Sequence, residues 1–300
     1  MADKSLVSVV IATYNMAGYL PLAVKSVLDQ VYRNIEVIII DDGSTDGTGE
    51  AIRLFLDDPR VRYMFQENKG QAAAKNYGVR ESRGEYIAFL DADDMWMPEK
   101  LEMQLPLFSK SNAVGVVYAR GLYIDEKGVE CGIVNQELFR GRVSGRLLID
   151  NFVCFGTSVA RKECFARLGE FNEEIRMGID YDLWLRFSTQ YEFDYVDRPL
   201  LCYRVWSGQM SSNCKGRYLN GIEIMKKFLR DFPGVVNSSI ENEAWAHTYV
   251  GFGQCLYRVD RQLGLALSLY LRALRHKPGY LPAWKSIIKV ILNWEKRASP

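Results

Sequence analysis

Over the first 125 residues, short β-branched runs alternate with amphipathic stretches, and this alternation restricts the fold more than any other feature of the chain. Val7–Ile11, Glu36–Ile40, Val61–Phe65, Tyr86–Leu90 and Val114–Tyr118 read as strands. Tyr19–Gln30, Asp46–Leu56, Gln71–Arg83 and Pro98–Ser109 carry helical spacing between them. Strands separated by helices of this length form a largely parallel sheet with right-handed crossovers. The first two runs are almost wholly apolar, as strands covered on both faces must be. An α/β fold follows.

Further along, Tyr123 to Val129 reads as a hairpin turn, with Asp-Glu-Lys-Gly at its centre. Ser158–Arg161 and Pro199–Val205 are strand candidates around a helix near Tyr181–Thr189, so the sheet is expected to be mixed. From about Arg217 the chain turns helical, with Tyr218–Asp231, Ile240–Tyr257, Arg261–His276 and Tyr280–Lys296 separated by Pro-Gly punctuation. The expected division is a sheet domain over 1–215 and a helical C-terminal subdomain over 216–300.

A formal charge of +1 argues against a dedicated nucleic-acid binder. The six cysteines are scattered without a CxxC pair and are expected to be reduced thiols. Two histidines leave almost no material for a His-based zinc site or a Ser-His-Asp triad. The opening segment carries Asp3 and only a short apolar run, which does not resemble a secretory signal. No stretch approaches the ~18 apolar residues of a membrane span. A cytoplasmic protein is the expectation.

Ligands of open α/β sheets bind beyond the carboxyl ends of the strands. Here those ends run into Ala12-Thr13-Tyr14, Asp41-Asp42-Gly43-Ser44 and Asp91-Ala92-Asp93-Asp94. Helix capping explains one such aspartate, and Asp46 is a good cap candidate. Five clustered aspartates repel one another unless a cation or several donors offset the charge. Asp91-x-Asp93 followed by Asp94 suits Mg²⁺ or Mn²⁺ held by one or two carboxylates and by ligand phosphates. An EF-hand does not fit, because the turn position counted from Asp91 is Trp96. A P-loop and a dinucleotide fingerprint are both missing.

The motifs VSVVIATYN, DDGSTDGT, ENKGQAAAKNYGV, GEYIAFLDADD and GIDYDLWLRF stand in an order that resembles family 2 glycosyltransferases over roughly residues 6–210. The resemblance implies a GT-A fold, a Rossmann-like, mostly parallel sheet flanked by helices. It also implies a nucleotide-diphosphate sugar donor, a UDP-sugar by preference, and a saccharide or lipid-linked acceptor in cell-surface polysaccharide or lipopolysaccharide assembly. By this resemblance Ala12, Thr13, Tyr14, Asp42, Ser44, Lys75 and Asp91 stand on the nucleotide side. Asp93, with Asp94 beside it, stands at the metal position, and Asp180 at the catalytic-base position. The chemistry implied is a single inverting displacement. A carboxylate deprotonates the acceptor, typically worth 10²–10⁴-fold, and a divalent metal stabilises the leaving diphosphate.

Two positions depart from the family pattern. Ile179 precedes Asp180 where Glu is common, and Trp206 replaces a His in the run YRVWSGQMSS. Asp182 is a rival carboxylate, about 200° around the helix from Asp180, and an N-cap is the other role open to Asp180. Arg204 and Trp206, like Asp182, are candidates for phosphate or acceptor contact. Phe155-Gly156-Thr157-Ser158 lies where relatives hold small residues near the acceptor.

Two readings stand for the last helix. Trp284, Ile287, Ile288, Ile291 and Leu292, with Trp294 nearby, recur at three- and four-residue spacing. Seven Lys/Arg lie between Arg272 and Pro300 against Glu295 alone. Such a helix either packs on its neighbours or lies on an anionic membrane, which would place the protein peripherally at the inner face of the plasma membrane. Two rival functions also stay open. A nucleotidyltransferase needs a basic loop after strand one, and none precedes Lys25. A non-catalytic sugar or nucleotide binder with the same fold is the alternative that Ile179 and Trp206 keep open.

Overall fold

A computed structural model describes residues 5–134 and 136–298, and only the backbone of Ser211 and of 293–298. Among these residues the chain divides into two compact units, 1–143 with 152–209, and 144–151 with 210–300.

The first unit is built on one mixed nine-stranded sheet in the order β3-β2-β1-β4-β8-β6-β9-β5, with β7 on β6. The strands are β1 (Val7–Thr13), β2 (Ile35–Asp41), β3 (Val61–Phe65), β4 (Tyr86–Phe89), β5 (Met95–Trp96), β6 (Val114–Ile124), β7 (Glu130–Ile133), β8 (Val159–Arg161) and β9 (Glu192–Arg204). β1 pairs in parallel with β2 and β4, and β2 with β3. Their carboxyl ends therefore emerge along one edge. All seven residues of β2 are buried, as expected of an interior strand covered on both faces.

Helices α1 (Leu20–Leu28), α2 (Thr48–Ala51), α3 (Gln71–Glu81), α4 (Lys100–Phe108), α6 (Lys162–Leu168) and α7 (Ile179–Ser188) flank this sheet. α1 starts with a proline in its first turn and buries Leu20, Ala23, Val24 and Val27, a stripe at helical spacing. α3 packs closely on β1 at Gly78, where an added Cβ would stand 2.4 Å from Val10 Cγ1. The second unit holds α5 (Ser144–Ile149), α8 (Cys214–Asp231), α9 (Ser238–Val259), α10 (Leu263–His276) and α11 (Leu281–Ala298). Asn213 and Asn237 cap α8 and α9, accepting from the N–H groups of Gly216 and Ile240.

Several expectations are corrected. The helix expected over Asp46–Leu56 is only the single turn of α2 followed by a 3-10 turn at Arg53–Phe55. Asp46 accepts from the Thr48 N–H at 3.0 Å but Gly47, at φ 86°, occupies the cap position. β9 begins at Glu192 rather than Pro199, because β9 bulges opposite Ala119–Gly121 of β6 and so accommodates the proline. The segment 144–151 belongs with the C-terminal helices, not with the sheet, because α5 packs on α9; an added Cβ at Gly145 would lie 3.0 Å from Ile240 Cδ1. Cys214 and Cys255 form a disulfide instead of remaining thiols. They stand 41 residues apart, but α8 and α9 bring their Cα atoms to 6.2 Å, within disulfide range. Cys131, Cys154, Cys164 and Cys202 are free. No helix among the described residues is long and apolar enough to cross a membrane. Asp3 and Pro300 lie outside the described residues, as do the side chains of Trp294, Glu295, Lys296 and Arg297.

Candidate active site

The loops after β1 and β2 are tied together by side chains. Asn15, at φ 53°, donates its N–H to Ser44 Oγ at 2.8 Å and accepts from the Thr45 N–H at 2.8 Å. The Ala17 N–H reaches Asp46 Oδ2 at 3.0 Å and the Met16 N–H reaches Thr48 Oγ1 at 3.1 Å. Ser44 thus holds a loop in shape. Tyr14, half exposed at 49%, stands out from that loop. Ala12 is half-buried against Ile38, Ile40 and Ala74. Thr13 Oγ1 is buried without a hydrogen-bond partner among the described residues.

Both aspartates at the end of β2 are occupied. Asp41 accepts from the Ser44 N–H at 2.7 Å and the Tyr63 hydroxyl at 2.6 Å. The carboxylate of Asp42 is buried and accepts from Gln66 Nε2 and the N–H groups of Lys69 and Gly70, at 2.7 to 2.9 Å. It therefore shapes the turn that starts α3. Gly43 permits that turn, since its φ is 86° and an added Cβ would meet Asn68 N at 2.9 Å.

α3 then delivers Lys75 into the site. Its ammonium is buried, lies 3.0 Å from Asp91 Oδ1, and sits 4.2 Å above the centre of the Phe155 ring. Asp91 keeps a side chain 38% exposed, so this ion pair opens to solvent on the carboxylate side.

The short strand β5 pairs with β9 and brings Arg204 and Trp206 against the acidic loop. Trp206 Nε1 donates to Asp93 Oδ2 at 2.8 Å. Arg204 Nε donates to the Asp93 carbonyl at 2.8 Å, and its Nη1 to the carbonyls of Asp125 and Glu126 at 3.0 and 3.1 Å. The Arg204 N–H donates to Asp94 Oδ1 at 2.8 Å. The guanidinium also lies 4.8 Å over the Tyr19 ring. Arg204 is buried and turned onto backbone carbonyls and the Tyr19 ring, so it positions the acidic loop. Gly208 makes room for the indole: an added Cβ would stand 2.0 Å from the Trp206 ring.

Burial, and then the Asp91 charge, raise the Asp93 carboxyl above its usual range, with the Trp206 and Arg204 contacts opposing. Asp94 is raised well above that range by burial and by Asp93 and Asp91. Buried like charges are tolerated when a cation approaches. No group of three His, Cys, Asp or Glu side chains among the described residues can hold a metal by itself. The donors suit instead a divalent ion that takes one or two carboxylates and completes its shell on a diphosphate and water. Asp93 fits, through the oxygen Trp206 does not use, with Asp91 nearby. Asp94 fits poorly, being buried and engaged by β9.

α7 starts after Gly178, whose φ of 78° supplies the cap conformation. Asp180 is the second helical residue, so the N-cap role does not fall to it. The structure removes Asp182 from the candidates for acceptor or phosphate contact. It is buried and pairs with Arg186, 2.9 Å to Nε and 2.8 Å to Nη2. Arg186 in turn donates to the carbonyls of Leu168, Gly169 and Glu170. The two aspartates of α7 are therefore separated by direction.

Cys154 stands directly before the turn Phe155–Thr157. Burial raises its thiol most, and the charges of Asp94, Asp91 and Asp180 raise it further. Carboxylates from the end of β4 and the start of α7 thus act on one sulfur. Beside it, Gly156 accepts from Trp96 Nε1 at 2.7 Å and faces Asp94 Oδ2, 3.6 Å from where a Cβ would stand. Sequence reasoning missed the Trp206–Asp93 bond, the Tyr63 bond to Asp41 and the cap at Gly178. Of these only Gly178, directly before Ile179-Asp180, carried a local signal.

An open α/β sheet with acidic loops along the carboxyl edge of its parallel strands defines the GT-A class of fold. The model of glycosyl transferase family 2 matches residues 8–168. The chain belongs to that family. It is 33% identical over 222 residues to an uncharacterized glycosyltransferase of Rickettsia conorii, covering 73% of this chain and 36% of that one. It is 34% identical over 209 residues to the chondroitin synthase of Escherichia coli, covering 69% and 30%. The chain thus spans about a third of the length of these relatives. Among solved structures, S. aureus TarS 1-349 superposes with a TM-score of 0.68 at 16% identity, over 91% of this chain and 81% of that one. The same TarS fragment in complex with UDP-GlcNAc gives 0.62 at 17%, over 97% and 91%. The mannosyltransferase PcManGT of Pyrobaculum calidifontis, in complex with GDP-Man and Mn²⁺, gives 0.66 at 19%, over 96% and 81%. At these identities the structures share the fold.

Proposed function

We propose that the chain is an inverting glycosyltransferase that moves a hexosyl or N-acetylhexosaminyl group from a UDP-sugar to an acceptor hydroxyl in cell-surface polysaccharide or lipopolysaccharide assembly. The observation that carries the reading is the acidic loop after β4, where Asp91 pairs with Lys75 at 3.0 Å and Asp93 accepts from Trp206 at 2.8 Å, in a chain whose family model matches residues 8–168. The naming of one relative as a chondroitin synthase and the UDP-GlcNAc complex of TarS favour a UDP-sugar; the GDP-Man complex of PcManGT keeps GDP as a control.

In this reading Tyr14 and the loop around Ala12 and Thr13 receive the base, and Lys75 with Asp91 faces the ribose and phosphates. Asp93 and Asp91 would hold a divalent ion, Mn²⁺ or Mg²⁺. When bound, that ion supplies Lewis-acid stabilisation of the leaving diphosphate. Trp206 and Arg204 fix the Asp93 carboxylate and backbone in place, so little reorganisation is needed as charge develops. Asp180 accepts the acceptor's hydroxyl proton as oxygen attacks the anomeric carbon in line. Displacement from the face opposite the diphosphate inverts that carbon.

Calorimetric titration with UDP, GDP and dTDP, in Mn²⁺ and then in EDTA, tests the donor half. UDP is expected to bind in Mn²⁺ and to lose at least about tenfold in affinity in EDTA or in Asp93→Ala, the effect of one charged contact. Binding of none of the three with or without metal would move the chain to the non-catalytic reading.

A further inference from the structure

α11 carries two apolar faces. Ala283, Ser286 and Val290 are buried, and Ala283, Val290 and Ile287 join the cluster formed with α9 and α10. At 100° per residue, Leu281, Trp284, Ile288, Ile291 and Leu292 fall on the other side. Each of these is between 45% and 66% exposed. The outer face of a packed surface helix is ordinarily polar. A continuous row of large apolar side chains there marks a surface that something covers.

The charges around the row indicate the cover. Lys285 and Lys289 lie exposed along one flank, and Arg272 and Arg275 are exposed on α10. From Arg272 to Pro300 the sequence holds seven Lys/Arg against Glu295 alone. A two-fold contact between copies pairs such a patch with itself and sets its cations against each other. An anionic bilayer satisfies both the apolar row and the cations. No described helix can cross a membrane, so this one would lie on it. Trp284 is held in place, with its Nε1 donating to the Pro278 carbonyl at 2.9 Å.

We propose that the outer face of α11 binds the surface of an anionic lipid bilayer, with Trp284, Ile288, Ile291 and Leu292 entering the boundary between headgroups and acyl chains and Lys285 and Lys289 meeting lipid phosphates. The inference does not depend on which sugar is transferred.

Cosedimentation of the full chain with vesicles tests it, using phosphatidylcholine alone and phosphatidylcholine mixed with phosphatidylglycerol. The protein is expected to pellet with the anionic vesicles and to be released as salt rises. Lys285→Ala with Lys289→Ala should lower partitioning roughly 10- to 30-fold, two cations' worth of surface attraction. Ile288→Asp with Ile291→Asp should abolish it, with circular dichroism reporting that both variants keep their helices. Three results would each overturn the proposal. One is no binding of the parent chain to anionic vesicles. Another is unchanged partitioning in both folded variants. The third is an oligomer, seen by sedimentation velocity, that the aspartate pair dissolves while no form binds lipid; this would make the face a self-association surface.

Discussion

Trp206 and Asp93 stand 113 residues apart and meet through one hydrogen bond, the indole N–H to the carboxylate Oδ2 at 2.8 Å. This bond places a donor that carries no charge of its own where family 2 relatives commonly have a histidine. It fixes which Asp93 oxygen remains for a cation. Trp206→Phe keeps most of the ring and removes the donor. A hydrogen bond to a charged group contributes ~1.5–3 kcal/mol, so metal-dependent UDP affinity is expected to fall about tenfold or more. Trp206→His, which restores a donor, should recover part of that loss. Calorimetry in Mn²⁺ checks both, and equal affinity in all three proteins would separate the indole from nucleotide binding.

Asp182 gives the opposite pattern. Its pair with Arg186, whose Nε and Nη2 both reach Oδ2, anchors α7 to the carbonyls of 168–170. Removing one partner of a buried pair typically costs about 3–5 kcal/mol. Asp182→Ala should therefore lower the urea midpoint clearly. Asp180→Asn, a half-buried and near-isosteric change in the first turn of the same helix, should leave it nearly unchanged. Equal midpoints for the two variants would place Asp182 outside the structural role assigned here.

Lys100 is fully buried on α4, its ammonium without a hydrogen-bond partner among the described residues and 4.0 Å above the Trp96 ring. Burial holds its pKa well below the ordinary lysine value. The unfolded chain then binds a proton that the folded chain sheds. Lys100 therefore makes stability rise with pH until the unfolded lysine titrates near about 10.4. Lys100→Met should stabilise the protein at neutral pH by at least about 1 kcal/mol. The gain should shrink as pH approaches that value. Urea unfolding across the alkaline range measures it, and a destabilised Lys100→Met would show that the amine has a partner after all.

Much of the fold could be read from periodicity, and what could not has physical causes. β1, β2 and β4 are apolar runs, and the acidic clusters at the ends of β2 and β4 come together because β1 pairs in parallel with both. β5 is two residues long and α6 seven, too short for any period to develop. β9 was half hidden because Arg198 and Pro199 interrupt its alternation, while pairing with β6 keeps the strand continuous. α5 looks local in sequence, yet its packing partner α9 lies about ninety residues further on. Within the site, Asp182 and Arg186 stand four residues apart on a helix and form a pair readable from spacing alone. Trp206 on Asp93, Tyr63 on Asp41 and the disulfide between α8 and α9 join residues that only the completed fold brings together.

The central claim is that Asp180 takes the acceptor's proton at a site that binds the donor without it. Release of UDP from a UDP-sugar, in the presence of a saccharide acceptor and Mn²⁺, measures this in the parent chain and in Asp180→Asn. The account predicts UDP affinity unchanged within about twofold and turnover reduced 10²- to 10⁴-fold, the usual contribution of a general base. Full turnover in a folded, UDP-binding Asp180→Asn would contradict it.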